Sequence, residues 1–293
     1  MQIKYFSTAW NDIRRSPGWL GKVLLLGLVA CIPVFGWIVV FGYLYGWARD
    51  IAWGVHAPLP ARIFGNEDGK LFSRGFFVLV IAFVFSLLPG VIQLVGLIIG
   101  SGPFLFWGGV GHGMGFLSVG MGFVIGLVSL ASYFFAVLFA WIGAMRMSIY
   151  GRLSAGFQLG KIWAMARRDF GGLLRIVGMA LVLVAGVTVA CVVLAFGVVL
   201  VSMLVGFVVT GGNLNIDAPH LSGPVLGMAV AIGGTSVLLS LCAWFVGMAV
   251  AVFVLAMLTR ALGYWTRQFD VPAWRGQDDP MPFEVWGAYT PQR

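Results

Sequence analysis

The sequence has few charged residues, and this scarcity decides the class of protein. Charged side chains make up 10% of its 293 residues, and none occurs between residues 75 and 145. A soluble domain carries about 25% charged residues. A chain of this length has no interior large enough to bury an apolar share of 60%. The composition excludes a water-soluble globule and predicts an integral membrane protein.

Cysteine is also scarce, and every cysteine lies inside an apolar run. An odd number in such segments argues against a disulfide framework, and no Cys-x-x-Cys pair is present. We therefore interpret these residues as small apolar side chains of helices. They are Cys31, Cys191 and Cys242.

The motifs of ordinary catalysis are missing. The three histidines, His56, His112 and His220, fall in loops far apart in sequence. No His-Glu-x-x-His, paired aspartates or Ser/Lys dyad is present. We therefore predict no catalytic, cofactor-binding or metal-binding residue and a protein that is not an enzyme. An activity lost on changing His112 or Asp217 would revive the enzyme hypothesis.

Ionisable residues are absent from the middle of every apolar run, which argues against an ion or proton pathway. The cations lie at the ends of these runs, where their long side chains are expected to reach out to the lipid headgroups. They are Lys22, Arg49, Arg74, Arg146, Arg175 and Arg260.

The N-terminal residues have no short apolar core and no cleavage site, so no signal peptide is predicted. One face of residues 5–13 is apolar, which predicts a helix lying in the membrane interface. Ser16-Pro17 is expected to cap and start the first membrane helix. The apolar face consists of Tyr5, Phe6, Ala9, Trp10 and Ile13.

The stretch from Trp19 to Arg49 is apolar between Lys22 and Arg49, with Pro33 and Gly36 near its centre. As one helix it would measure about 39 Å, enough for one tilted crossing or for two half-depth legs. We predict that it bends at Pro33 and Gly36 into a re-entrant, wedge-like hairpin. The alternative is a true span, which gives six spans in all.

Four longer apolar runs follow, and each is long enough to cross a bilayer. Residues 100–122 are rich in glycine and are expected to form an outer loop or a loose hairpin. Residues 157–168 are expected to form a second interfacial helix, and 267–293 a polar cytoplasmic tail. The fold class is an all-α, polytopic helical bundle. The four predicted spans are 76–99, 123–147, 176–209 and 225–258.

The basic residues indicate which loops share a side. The chain has 18 Lys and Arg against 10 Asp and Glu, for a net charge of +8. With the hairpin in place all 18 lie on one side of the membrane, and the opposite loops carry only Asp217. By the positive-inside rule that side is the cytoplasm of an inner membrane, with both termini in it. The six-span alternative places 4 of the 18 outside. In either topology we assign the charge to anionic lipid and predict no binding of nucleic acid.

Residues 10–23 and 163–176 resemble each other. Each contains Trp, Arg-Arg, Gly and Leu at the same offsets and comes just before an apolar run. The match predicts an internal duplication of 10–49 with 163–260 inside a single membrane domain, 1–266. Coincidence among common residue types is the alternative.

Several residues in the first half of the chain resemble the start of the domain-of-unknown-function 4013 family. They are Trp19, Lys22, Pro33, Gly36, Gly42-Tyr43-Leu44, Arg49, Leu59-Pro60, and Phe72 leading to Gly75. The stretch Tyr150-Gly-Arg-Leu-Ser-Ala-Gly-Phe, before the predicted second interfacial helix, resembles it too. The resemblance covers about residues 10–266 and departs from the family at residues 61–70. It implies a prokaryotic multi-pass membrane protein with no assigned activity and no catalytic residue.

Glycine is abundant, with 42 residues, about twice its usual share. Small-xxx-small pairs let helices pack closely, within one subunit, in a homo-oligomer or against a partner's helix. We predict a non-enzymatic structural or accessory envelope protein that acts through packing or lipid contact. The alternative is a transporter or channel for a neutral or lipidic molecule, with a hydrated cavity lined by Ser86, Gln93 and Ser240. The glycine pairs are Gly42/Gly46, Gly96/Gly100, Gly122/Gly126 and Gly223/Gly227.

Overall fold

The computed structural model describes residues 4–64, 69–106, 114–209 and 223–271. Every regular element within these ranges is helical, which confirms the all-α prediction. A short 3-10 turn at Leu153–Phe157 precedes the sixth helix. The helices are α1 (Tyr5–Arg15), α2 (Trp19–Ala30), α3 (Phe35–Ala52), α4 (Leu71–Phe106), α5 (Met114–Tyr150), α6 (Leu159–Arg168), α7 (Phe170–Val209) and α8 (Gly223–Arg267).

Four of the described helices contain a stretch long and apolar enough to cross a membrane, as predicted. They are α4, α5, α7 and α8, and their mean hydropathies run from 2.3 to 2.8. A helix needs about 20 apolar residues to cross the hydrocarbon core. The four spanning stretches are Leu71–Gly96, Phe123–Tyr150, Phe170–Leu204 and Val237–Arg267.

The N-terminal hairpin is confirmed as α2 and α3, which fold back on each other across residues 31–34. Val34 at the turn has a positive φ of 60°. A Cβ on Gly36 would overlap the carbonyl of Val29, so the two legs meet at a position that only glycine fits. The predicted bend at Pro33 and Gly36 is therefore the turn of the hairpin.

The hairpin lies between two helix pairs, α4 with α5 and α7 with α8. Its α3 leg packs on both α4 and α8, and its α2 leg packs on α8. Glycines make these contacts close: a Cβ on Gly42 would overlap the Leu71 carbonyl, and one on Gly27 would lie 2.7 Å from the Cα of Ala249. The two pairs make few direct contacts, so the hairpin is the element that joins them.

The two segments predicted as interfacial helices are both helical, as α1 and α6. In α1 the predicted face supplies Tyr5, Ala9 and Ile13 as buried residues, whereas Phe6 is 52% exposed. The Trp10 ring packs at 5.7 Å from the Phe253 ring of α8. The amphipathic pattern therefore buries one face of α1 against the bundle.

The predicted outer loop at residues 100–122 is wrong in extent. Helix α4 continues to Phe106 and α5 begins at Met114, while residues 107–113 lie outside the described part. A Cβ on Gly96 would lie 2.5 Å from Cγ2 of Ile125, so α4 and α5 approach closely here. Packing of paired helices outweighs the low helix propensity of glycine.

Of the predicted polar tail, 267–293, the structure describes residues up to 271. Phe269 and Val271 in this part are buried.

The predicted cap at Ser16-Pro17 is wrong. Helix α2 begins at Trp19, after Gly18 in a left-handed conformation with a φ of 66°, and no side chain caps it. The Ser16 hydroxyl instead donates to the carbonyl of Asp12 at 2.8 Å and accepts from the Leu59 N–H at 2.9 Å. Ser16 thus ties the N-terminal segment to the loop after α3.

Candidate functional site

The described charged side chains gather at one end of the bundle, which we call the charged end. It contains α1, the starts of α2, α4 and α7, the ends of α3, α5 and α8, the loop at residues 53–64 and all of α6. Arg260 of α8 is the centre of its largest polar cluster, because it connects α1, α3 and this loop.

Arg260 is only 1% exposed, yet its guanidinium is well satisfied. Its Nε donates to Asp12 Oδ2 at 2.7 Å, and its terminal nitrogens donate to the carbonyls of Trp47 and Ala57 at 3.1 and 3.4 Å. The guanidinium carbon lies 4.2 Å from the Trp47 ring centroid, a cation–π distance. Tyr264 donates to the same Asp12 oxygen at 2.7 Å. The ion pair is thus hydrogen-bonded on both sides, as a buried charge requires.

The loop after α3 is held in place because side chains of the hairpin donate hydrogen bonds to its backbone carbonyls. Lys22 Nζ donates to the Leu59 carbonyl at 2.7 Å, the Tyr43 hydroxyl to Pro60 at 2.7 Å, and Trp47 Nε1 to Ala57 at 3.0 Å. These donors come from both legs of the hairpin. An irregular segment beside the membrane needs such partners for its polar backbone groups.

A second buried arginine, Arg146 at the end of α5, joins α5 to the 3-10 turn and α6. It is 1% exposed. It donates to the Ala155 carbonyl at 3.3 Å and to Gln158 Oε1 at 2.7 Å, and lies 5.1 Å from the Tyr150 ring. Arg74 of α4 is 4% exposed and donates to the Gly42 carbonyl at 3.5 Å.

The expectation that these run-end arginines reach out to the headgroups is therefore wrong for Arg74, Arg146 and Arg260. Each is held inward by carbonyl groups from another part of the chain. Sequence reasoning named these residues but missed that they are buried, because an acceptor such as Trp47 lies 213 positions from Arg260. The one available signal was that each stands next to a glycine-rich or aromatic helix end that can pack closely.

Asp169 caps the start of α7. Its Oδ1 accepts from the Gly172 N–H at 2.8 Å, and its Oδ2 accepts from Gln268 Nε2 at 2.9 Å. Burial raises the pKa of the nearby Tyr5 phenol, the Asp169 charge adds to the rise, and Arg175 opposes it. The duplication of 10–49 with 163–260 stays a prediction.

The polar residues proposed for a transport cavity lie apart. Gln93 lines an open groove of about 530 Å³ between α4 and α5, together with Ser129 and Tyr133. Ser86 lines a neighbouring cleft of about 490 Å³, which also includes Tyr133 and is walled by α3, α4, α5 and Leu255 of α8. Both are lined mainly by apolar and aromatic side chains. Ser240 of α8 is exposed and lines neither of them.

Other candidate residues are placed as follows. His56 is exposed, and its Nε2 lies 3.1 Å from Arg267, while His112, His220 and Asp217 lie outside the described residues. All three cysteines are free, as the sequence predicts. Among the described residues, no three His, Cys, Asp or Glu side chains gather as metal ligands would.

The glycine pairs have different surroundings where the structure describes them. Gly42 is used in packing within the chain, against α4, whereas a Cβ on Gly126 would meet open space. The surroundings of Gly100, Gly122, Gly223 and Gly227 lie outside the described part of the structure. The predicted oligomer or partner contact through glycine faces stays a prediction.

The four spanning helices, the all-helical fold and the long apolar surfaces define a polytopic α-helical membrane protein. The sequence profile of the family described as a protein of unknown function (DUF4013) matches residues 25–196. This is more than half of the chain, and the chain belongs to that family. The match confirms the resemblance found in the sequence. It covers a shorter range than the predicted 10–266. No curated protein and no solved structure matches the chain.

Proposed function

We propose that this protein is a non-enzymatic structural or accessory component of the cell envelope that works through lipid contact and helix packing. The observation that carries the proposal is the exposed apolar surface of α7. No residue between 181 and 200 is buried, although this span has a mean hydropathy of 2.8. Such a surface must be covered by lipid or by an apolar helix of a partner.

The packing of the charged end supports the same role. Its arginines are held by carbonyls and carboxylates rather than placed along an open path. Residues that serve an ion pathway normally face a water-filled cavity. Arg74 and Arg260 instead join α4 and α8 to the hairpin, so we assign them to holding the hairpin between the two helix pairs, whereas Arg146 joins α5 to α6.

We place the protein in the inner membrane with both termini and the charged end in the cytoplasm, because basic loops are retained there. The lipid bilayer is its principal partner. A second copy or another membrane protein would dock along exposed apolar helix faces, and we propose no catalytic role and no nucleic-acid ligand.

Thiol accessibility tests the accessory role against transport through a water-filled path. Cys31, Cys191 and Cys242 are replaced by alanine, and single cysteines are introduced at Ser86 and Gln93. We expect a membrane-impermeant methanethiosulfonate to leave both positions unmodified in membranes, because they face lipid, and to modify them after the protein is denatured. The labelling is done in inverted vesicles, where a His56→Cys variant in the exposed loop is the control for reagent access. Modification of both positions in intact membranes would instead show a hydrated path.

A transporter for a neutral or lipidic molecule is the second candidate. It is favoured by one observation, the neighbouring groove and cleft that share Tyr133 and contain Gln93 and Ser86. A lipidic substrate could move along such a groove without a water-filled pore. Reconstitution with a fluorescent lipid analogue, and comparison of wild type with Gln93→Leu, separates this candidate from the first: only a transporter gives protein-dependent movement that the variant slows.

A further inference from the structure

We propose that a groove beside the start of α2 binds the headgroup and upper acyl chain of one anionic phospholipid. The inference rests on the proposed lipid-contact role and gives that role a site and a lipid class. The groove measures about 530 Å³ and lies between the first turns of α2 and the loop residues 61–64. This is within the range of volumes that hold small ligands.

The lining of the groove has the two parts that a phospholipid requires. Lys22 and Arg62 supply positive charge, and no acidic side chain is among the described residues that line it. Leu25 and Phe64 supply apolar walls and are 49% and 57% exposed. A phosphate beside the two cations would place the acyl chain along Leu25, so charge complementarity and the apolar wall favour one occupant.

The groove is preformed rather than loose. Its loop wall follows Leu59 and Pro60, which are held by Ser16, Lys22 and Tyr43. Because the Lys22 ammonium already donates to Leu59, it is fixed at the rim and presents its remaining N–H groups there. Fixed cations bind an anion with less loss of conformational freedom than mobile ones do.

The floor of the groove offers a selective test. Gly21 lines the groove and a Cβ there meets nothing within 4 Å, so Gly21→Leu adds bulk to the groove at a position with room for the Cβ. Gly186 of α7 is equally open and exposed, so Gly186→Leu is a matched control. The role of the two groove cations is tested with the double variant Lys22→Gln/Arg62→Gln. Its control is the double variant Arg14→Gln/Arg167→Gln, which removes two exposed cations of α1 and α6.

The measurement is native mass spectrometry of the full-length purified protein titrated with phosphatidylglycerol or phosphatidylcholine of the same acyl chains. We expect wild type to retain phosphatidylglycerol preferentially, and Gly21→Leu to lose this preference while Gly186→Leu keeps it. Each cation removed from the groove should weaken binding about fivefold, the factor by which one basic residue favours an anionic surface. Arg62 is exposed, so Arg62→Gln alone gives this readout even if the double variant folds poorly.

Equal binding of the two lipids by wild type, or the same loss in the Arg14/Arg167 control as in the groove variant, would overturn the proposal. Preserved phosphatidylglycerol selectivity in Gly21→Leu would overturn it as well. These results leave the thiol-accessibility test of lipid contact unaffected, because that test probes Ser86 and Gln93 in other helices. Failure of the lipid site and failure of the proposed function are therefore distinguishable.

Discussion

Removing the carboxylate of Asp12 should destabilise the protein more than any other single change of an α1 side chain. Asp12 accepts hydrogen bonds from Arg260 and Tyr264, both at 2.7 Å. Removing one partner of a buried ion pair costs roughly 3–5 kcal/mol. The Asp12 side chain is 22% exposed, and Arg260 keeps the Trp47 and Ala57 carbonyls. We therefore expect the lower end of the range, about 3 kcal/mol, for Asp12→Ala.

Two further variants separate the contributions of Tyr264 and Arg260 to the stability lost in Asp12→Ala. Tyr264→Phe removes one of the two bonds to Asp12 and should cost about 1 kcal/mol. The double variant Asp12→Ala/Arg260→Met leaves no buried charge unpaired. It should therefore be more stable than the sum of the single effects by about 2 kcal/mol, the coupling energy expected of groups in direct contact.

The assay is equilibrium unfolding in mixed micelles of mild detergent and dodecyl sulfate, followed by tryptophan fluorescence. Arg14→Ala is the control, because Arg14 is exposed on the same helix and should change the free energy of unfolding by less than about 0.5 kcal/mol. An Asp12→Ala effect no larger than that of Arg14→Ala would refute the assignment of the cluster as the connection between α1, α3 and α8.

Two other predictions concern packing and pH. Gly42→Ala should lower the free energy of unfolding by roughly 1–3 kcal/mol, because its Cβ overlaps the Leu71 carbonyl. Gly186→Ala should be neutral or stabilising by up to about 1 kcal/mol, and equal effects in the same unfolding assay would contradict the close α3–α4 contact. Burial raises the folded-state pKa of Tyr5 above 10.0, so its stabilising contribution should be complete below pH 10 and be lost as the pH rises through the folded value. Tyr5→Phe should remove this part of the pH dependence, and an unchanged dependence would contradict the burial of Tyr5.

The hairpin was predictable from sequence because its determinants are local. A proline and a glycine at the centre of an apolar stretch, with cations at both ends, leave a turn as the arrangement that keeps Lys22 and Arg49 on one side. The four spans follow from length and hydropathy in the same way. The interfacial helix α1 follows from its 3.6-residue pattern, which is also local.

The buried arginines were not predictable, because their partners are distant and are mostly backbone carbonyls. No residue type marks a carbonyl as an acceptor, and the carbonyls that Arg260 uses come from the hairpin and the loop after it. The Ser16 cap failed for the same reason, since a contact with Leu59, 43 positions away, uses the hydroxyl instead. Local propensity gave way to tertiary hydrogen bonding at both positions.

The return of α3 to the side on which α2 begins is the central claim, and the sidedness of single cysteines tests it most directly. In the cysteine-free background, cysteines at Trp10, His56, Arg152 and Asn213 are labelled with an impermeant maleimide in right-side-out and inverted vesicles. We predict that the first three react only in inverted vesicles and that position 213 reacts only in right-side-out vesicles. Labelling of His56→Cys from the side opposite to Trp10→Cys would show that residues 19–49 cross the membrane and would contradict the hairpin.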